Sequence, residues 1–277
     1  MTNTTDLARA AALIDQADLL LVAAGAGMGV DSGLPDFRGN DGFWKAYPAL
    51  AQARLAFASV ASPRTFEEDA ALAWGFYGHR LQLYRATVPH AGCALLKDWG
   101  ARMAHGVAVF TSNVDGQFQR AGFDPQRILE CHGSIHRLQC LAPCSEAIWP
   151  AGGFVPQIDD AACRLLSEAP VCPHCGGLAR PNILMFGDGG WVERRTAVQE
   201  ARLEALLARV RRPVVVELGA GVVIPSVRHF SQRVVRDYGG RLVRINPREA
   251  GVGSALDVGL ACGALAGLMA IDRVLRD

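Results

Sequence analysis

The sequence predicts an α/β fold, a parallel sheet covered by helices on both faces with a smaller lobe inserted. Three observations predict it. Short, mainly apolar β-rich runs alternate with helix-like stretches through most of the 277 residues. Each run is bounded by Gly, Pro or Asn. One segment, residues 138–180, breaks the alternation and carries five cysteines, four of them in two close pairs. Strand–helix–strand repetition with continuous rather than alternating apolar runs is the mark of strands buried on both faces.

Taken in order, residues 7–16 read as a helix and Leu19–Ala24 as the first buried strand. Residues 106–110 and 182–186, Pro213–Leu218 and Arg241–Ile245 are the further strands. The intervening helices are expected at 64–85, 90–101, 195–210, 225–238 and 258–274. Ligands of such sheets lie at the carboxyl ends of the strands. This organisation assigns residues 1–137 and 181–277, including a helical segment at about 39–85, to the sheet domain and 138–180 to the small lobe.

Composition sets further bounds. Half the residues are apolar, enough for a substantial core. Twenty-eight basic residues balance 27 acidic ones, for a net charge of +1, so no global field draws the chain to nucleic acid or to anionic lipid. The amino terminus lacks a basic stretch followed by an apolar run, and the longest apolar runs are too short and too Gly-rich to cross a bilayer. The expectation is a cytoplasmic protein with no membrane or nucleic-acid partner, whose clustered thiols serve a metal rather than disulfides.

Cys140-x3-Cys144 and Cys172-x2-Cys175 have the spacing of two thiolate pairs closing a tetrahedral zinc site. Four cysteines leave no coordination position for water, which points to a structural ion. Gly176-Gly177 suits a tight turn after the second pair, and Cys163 is expected to be a spectator.

Directly after the first strand stands Ala24-Gly25-Ala26-Gly27-Met28-Gly29. Glycines here permit a tight turn and let backbone N–H groups approach a pyrophosphate, as in Rossmann-like sheets, although the spacing to Gly33 departs from the usual G-x-G-x-x-G. Residues 25–39, continuing through Asp36-Phe37-Arg38-Gly39, resemble the sirtuin signature G-A-G-x-S-x-x-S-G-I-P-D-F-R-G. Four further segments agree in order. Thr111-Ser112-Asn113-Val114-Asp115 is similar to T-Q-N-I-D, and Glu130-Cys131-His132-Gly133-Ser134 to E-x-H-G-S. Residues 180–188 are similar to R-P-x-V-V-x-F-G-E. Gly219-Ala220-Gly221 with Pro225 stands where G-T-S-x-x-V-x-P belongs, followed by Ile245-Asn246. The resemblance spans residues 19–264 and is to the sirtuin family of NAD-dependent protein deacylases.

The resemblance implies a Rossmann-like domain, a structural zinc lobe, NAD as a consumed co-substrate and an acyl-lysine protein or peptide as partner. It makes His132 the general base, an imidazole being able to take a ribose proton near neutral pH. Asn113 and Asp115 join it around the nicotinamide and its ribose, beside Ser112. Asp36, Phe37 and Arg38 lie on the loop over NAD. Gly25, Ala26, Gly27, Gly219, Ala220 and Gly221 approach by backbone, and Asn246 and Cys262 lie near adenosine. Leu184 and Phe186 hold the acyl-lysine stem. Tyr77 and Arg80, one helical turn apart, resemble the pair with which some sirtuins grip succinyl or malonyl carboxylates.

The pattern also departs from the family's. Gly29 replaces a Ser, Ser112 a Gln, Ala220 and Gly221 replace Thr and Ser, and Pro89-His90-Ala91-Gly92 matches P-N-x-x-H loosely. With those polar groups gone, mono-ADP-ribosyl transfer, plain NAD hydrolysis and non-enzymatic NAD sensing stay open beside deacetylation and desuccinylation.

Overall fold

The structure, a computed structural model, describes residues 3–36 and 39–277. Its strands are β1 Leu19–Ala24, β2 Val107–Thr111, β3 Ile128–Glu130, β4 Gly133–Cys140, β5 Trp149–Pro150, β6 Ile158–Asp159, β7 Arg164–Leu165, β8 Ala179–Ile183, β9 Pro213–Leu218, β10 Arg241–Ile245 and β11 Val258–Leu260. Its helices are α1 Thr4–Asp15, α2 Gly39–Ala46, α3 Pro48–Gln52, α4 Phe57–Val60, α5 Pro63–Glu68, α6 Ala70–Ala86, α7 Gly92–Ala101, α8 Gln117–Arg120, α9 Arg194–Leu207, α10 Ser226–Tyr238 and α11 Ala264–Arg276.

Six strands form one parallel sheet in the order β11-β10-β9-β1-β2-β3. Alternate residues sort onto its two faces, as the pleat requires. Leu20, Val22, Val109, Val214, Val216 and Val243 pack with α1, α7 and α11. Leu19, Leu21, Ala108, Phe110, Val215 and Leu242 pack with α9 and α10. Phe110 and Phe230 stack there with ring centroids 4.0 Å apart. The chain runs outward from β1 through β2 to β3, then restarts at β9 and runs the other way. The carboxyl ends of β1 and β9 are therefore the point where strand order reverses, the place such sheets leave open for a ligand.

A third core lies beyond this sheet. Helix α6 is apolar nearly all round, as a buried helix must be, and buries Trp74, Phe76, Tyr77 and Leu81. The β6–β7 hairpin covers it so closely that a Cβ on Gly75 would come within 2.0 Å of the Cys163 carbonyl oxygen. Trp74 donates to the Ala179 carbonyl at 3.0 Å, and Arg164 binds Asp69 through both nitrogens at 2.8 and 2.9 Å. The cysteine-bearing segment and the helices of residues 39–86 thus share one core.

Several element boundaries differ from the sequence expectation; the helices expected at 7–16 and 195–210 run over Thr4–Asp15 and Arg194–Leu207. The helix expected over 64–85 is two, because the Asp69 carboxylate accepts from the Leu72 N–H and caps a new start. The helix expected over 258–274 begins with an edge strand, β11, paired to β10, and turns helical only at Ala264. The strand expected over 182–186 is β8, three residues earlier, and pairs antiparallel with β4 outside the parallel sheet. Residues 138–180, read as loop-like, carry the end of β4 and the β6–β7 hairpin.

One ion pair sits within the sheet itself. Glu217 of β9 and Arg244 of β10 face each other in register, with Nε and Oε1 2.5 Å apart, and Arg244 also donates to the Gly251 carbonyl. Both are buried. Removing one member strands the other's charge at low dielectric, a loss of about 3–5 kcal/mol. Glu217→Ala is expected to lower the urea unfolding midpoint accordingly, and a wild-type midpoint would show that the pair contributes nothing.

Candidate active site

A row of backbone hydrogen bonds runs along the carboxyl edge of the sheet. Cys131 N–H donates to Thr111, Ser112 to Ala24, Gly25 to Leu218, Gly219 to Ile245 and Asn246 to Leu260, all at 2.9–3.1 Å. Each loop expected to meet the dinucleotide therefore leaves its strand locked to the strand beside it. The structure brings Gly25, Ala26, Gly27, Ser112, Asn113, His132, Gly219, Ala220, Gly221 and Asn246 together along this edge.

At the reversal point the two glycine turns touch backbone to backbone. Gly27 N–H donates to the Gly219 carbonyl at 3.1 Å. A Cβ on Gly25 would lie 2.9 Å from Cα of Ala220, and one on Gly219, which has φ +60°, would lie 2.4 Å from Gly27. Neither position admits a side chain. Gly221, by contrast, faces open space, where backbone could be approached by a phosphate. After Gly25 the chain makes two short 3₁₀ turns, Ala26–Met28 and Val30–Ser32, and Asp36 then precedes Phe37 and Arg38, which lie outside the described residues.

Asn113 donates through Nδ2 to the Gly25 carbonyl at 3.0 Å, tying the second strand's loop to the first turn. Met28, Ser32, His90, Asn113 and Asp115 line a small cleft beside it. Burial, opposed by the Gln117 N–H, pushes the Asp115 carboxyl up to about 6. His90 accepts the Gly92 N–H on Nδ1 and so presents an Nε2–H to the Met28 carbonyl at 3.1 Å. It is held neutral by burial and supports the glycine turn from below.

His132 follows β3, half-buried. Its Nε2 lies 3.1 Å from Ser226 Oγ. Burial lowers its pKa below the ordinary 6.5 of an imidazole, opposed by a hydrogen bond with the Ser112 backbone. The ring is therefore neutral at neutral pH, the state a general base needs. Sequence reasoning missed Ser226; a hydroxyl directly after the Pro225 of the motif was the available signal.

Asn246 is buried, and its amide is spent within the protein. Nδ2 binds the Ala220 carbonyl at 2.9 Å, and Oδ1 accepts from the Arg248 and Glu249 N–H groups. Cys262 lies at the end of β11, close against Gly267.

In the third core, Tyr77 stacks on Phe66 and is 1% exposed. Arg80 is also buried; its Nε and Nη2 both donate to Tyr84 Oη, at 3.0 and 2.7 Å. Its charge is felt at Asp115, where it favours the carboxylate. Tyr84 stands at i+4 from Arg80 and was not singled out from the sequence, although that spacing puts both on one helix face. Leu184 and Phe186 are each 40% exposed on the segment after β8. The Leu184 N–H donates to the His132 carbonyl, which fixes this segment to the histidine loop. Asp188 clamps it from the other end, taking both terminal nitrogens of Arg180 at 2.7 and 2.8 Å and the N–H groups of Met185 and Gly190.

The sulfurs of Cys140, Cys144, Cys172 and Cys175 lie within 4.8 Å of one another, with the 140–175 and 144–172 pairs at 3.6 Å. Tetrahedral Zn–S bonds of about 2.3 Å place sulfurs about 3.8 Å apart, so the four thiols fit zinc.

What the fold and its open edge define is a nucleotide-binding α/β protein with a thiolate-held lobe. The family model for Sir2 matches residues 25–208. An NAD-dependent protein deacylase of Thermococcus kodakarensis is 31% identical, the match covering 91% of this chain and 89% of that one. NAD-dependent protein deacylase 1 of Pseudomonas aeruginosa is 31% identical, covering 85% and 86%. Among solved structures, a Sir2 homologue in complex with NAD superposes with a TM-score of 0.73 at 24% identity, covering 97% of this chain and 93% of that one. A Sir2 enzyme structure at 25% identity covers 99% of both, with a TM-score of 0.69. The chain belongs to the Sir2 family.

Native mass spectrometry is expected to find one zinc per chain. Cys172→Ser is expected to lose the ion and melt at lower temperature; an unchanged metal content would remove the site.

Proposed function

We propose that this chain is an NAD-dependent protein-lysine deacylase in which His132 is the general base. The observation that carries the assignment is a neutral, half-buried imidazole fixed at the carboxyl edge of the sheet beside the glycine turns. The names of the relatives support the reaction class. Overall, acyl-lysine, NAD and water become lysine, nicotinamide and O-acyl-ADP-ribose; NAD supplies an ADP-ribosyl electrophile with nicotinamide as leaving group.

The chain's own contribution is positional. The Gly25–Gly27 and Gly219–Gly221 turns let the backbone come close to the phosphates; of their N–H groups, those of Gly25, Gly27 and Gly219 are already donated within the protein. Asn113 and Asp115 face the carboxamide and ribose hydroxyls, the Asp115 carboxylate as an acceptor. His132 Nε2 takes a ribose hydroxyl proton as that oxygen turns nucleophile toward the acyl carbon. Asp36, with Phe37 and Arg38, belongs to the loop over the dinucleotide, and Asn246 and Cys262 to the adenosine end, Asn246 acting through the Ala220 loop it holds. Leu184 and Phe186 receive the lysine stem, the peptide adding as a strand beside them. Zinc, held by Cys140, Cys144, Cys172 and Cys175, would stiffen the lobe without entering the chemistry.

Within this reaction we infer a preference for acidic acyl groups. Arg80, with Tyr77 and Tyr84, is a buried guanidinium framed by phenols, a receptor suited to a carboxylate.

Incubation with NAD and acyl-lysine peptides is expected to release nicotinamide only when acyl-lysine is present, and His132→Ala to slow this at least about 100-fold. Release without acyl-lysine would make the chain an NAD glycohydrolase, and label transfer to a protein side chain a mono-ADP-ribosyltransferase. Since the imidazole must be unprotonated and burial lowers its pKa, activity is expected to hold through neutral pH and to fall only at a pH lower than an ordinary histidine would give. Arg80→Met is expected to cost a succinyl substrate at least about tenfold more than an acetyl one, one charge-assisted contact being at stake; equal losses on both would remove Arg80 from acyl recognition.

A further inference from the structure

The hydroxyl of Ser226 is the partner of the histidine on which the reaction turns. Ser226 is the first residue of α10, immediately after Pro225, and its Oγ lies 3.1 Å from His132 Nε2. Resting on the reading of His132 as the base, we propose that Ser226 is its positioning residue: the hydroxyl donates to Nε2 while the ring is bare and accepts from it once the ring is protonated.

The proposed tautomer carries its proton on Nδ1, the nitrogen that does not meet Ser226, and the Ser112 backbone favours the protonated ring. In the neutral ring the remaining nitrogen, Nε2, carries the lone pair, and the Ser226 O–H is the donor to it. A ribose hydroxyl arriving as substrate becomes the donor to Nε2 instead, the Ser226 hydrogen turning aside, and gives up its proton. After its oxygen has bonded to the acyl carbon, the imidazolium N–H needs a new acceptor. Rotation about the Cβ–Oγ bond supplies one with no heavy atom moving, and Ser226, itself half-buried, leaves the proton within reach of solvent.

No other side chain among the described residues takes this role. Glu130 is turned to Arg195, and Asp115 binds the Gln117 N–H. On α10, Arg228 reaches the Ala220 and Glu249 carbonyls, His229 is exposed and Arg233 pairs with Glu204. The Cys131 thiol, pushed up to about 12 by burial, carries no charge. On the β8 side the histidine meets a backbone N–H, that of Leu184, through its own carbonyl.

Loss of the hydroxyl penalises the imidazolium more than the neutral ring, because a hydrogen bond from a charged donor is about twice as strong as a neutral one. Ser226→Ala is therefore expected to lower the His132 pKa by about half a unit to one unit and kcat about fivefold, with KM for NAD not raised. Ser226→Thr, which keeps the hydroxyl, is expected to restore both. The direct readout is an NMR titration of isotopically labelled histidines in the full chain without NAD, the His132 signal being the one missing from His132→Ala. It is read beside the acid limb of kcat/KM. A Ser226→Ala signal that titrates with wild type, or a threonine variant that stays shifted, overturns the proposal. If His132→Ala still deacylates, the base assignment itself falls. If His132→Ala is dead and Ser226→Ala leaves the titration and the acid limb in place, only the role of Ser226 falls.

Discussion

The site depends on one row of main-chain hydrogen bonds across the carboxyl edge of the sheet, from Cys131 through Ser112, Gly25 and Gly219 to Asn246. Parallel strands end in loops whose first residues would be free to splay. Here each first residue donates to the neighbouring strand, so five loops far apart in sequence leave in a fixed order and direction. The contact between Gly27 and Gly219 closes the row where strand order reverses, and it exists only because neither turn carries a Cβ that would block it. Precision at His132 is inherited from this edge, since a base must stand within hydrogen-bond reach of its proton.

Polar groups buried around that edge hold structure more often than they await a ligand. Asn246 ties down the Ala220 loop, His90 supports the first turn, and Arg180 with Asp188 shapes the segment carrying Leu184 and Phe186. Asn246 and His90 are satisfied by specific partners, as burial requires, and Arg180 spends both terminal nitrogens on Asp188. His132 differs: its Nε2 meets a hydroxyl that can rotate, and no counter-charge among the described residues acts on it. A ring desolvated without a carboxylate stays neutral, which is how a fold with no strong field of its own keeps a base ready near neutral pH.

Much of the sheet was legible because parallel strands buried on both faces spell short, mainly apolar runs. Leu19–Ala24, Pro213–Leu218 and Arg241–Ile245 stand where the sequence puts them, and the four cysteines of the lobe converge as their spacing predicts. What escaped lacks periodicity or is set by tertiary contact. The break between α5 and α6 rests on one capping carboxylate, Asp69. Strand β4 alternates apolar residues with His136, Arg137 and Gln139, and β8 buries Arg180 and Asn182, so neither spells an apolar strand. The histidine was legible through its motif, but its partner Ser226 lies 94 residues away, and only the fold joins them. The same holds for Tyr84, whose hydroxyl accepts from Nε and Nη2 of Arg80.

The central claim is that a ribose hydroxyl of NAD meets His132 Nε2. A crystal structure of the chain with NAD and an acyl-lysine peptide tests this most directly. The account predicts a ribose oxygen within about 3 Å of that nitrogen, at hydrogen-bond distance, with the pyrophosphate against Gly25–Gly27 and the Gly221 backbone. A nicotinamide ribose well removed from the ring, with the dinucleotide bound elsewhere on the sheet edge, would contradict it.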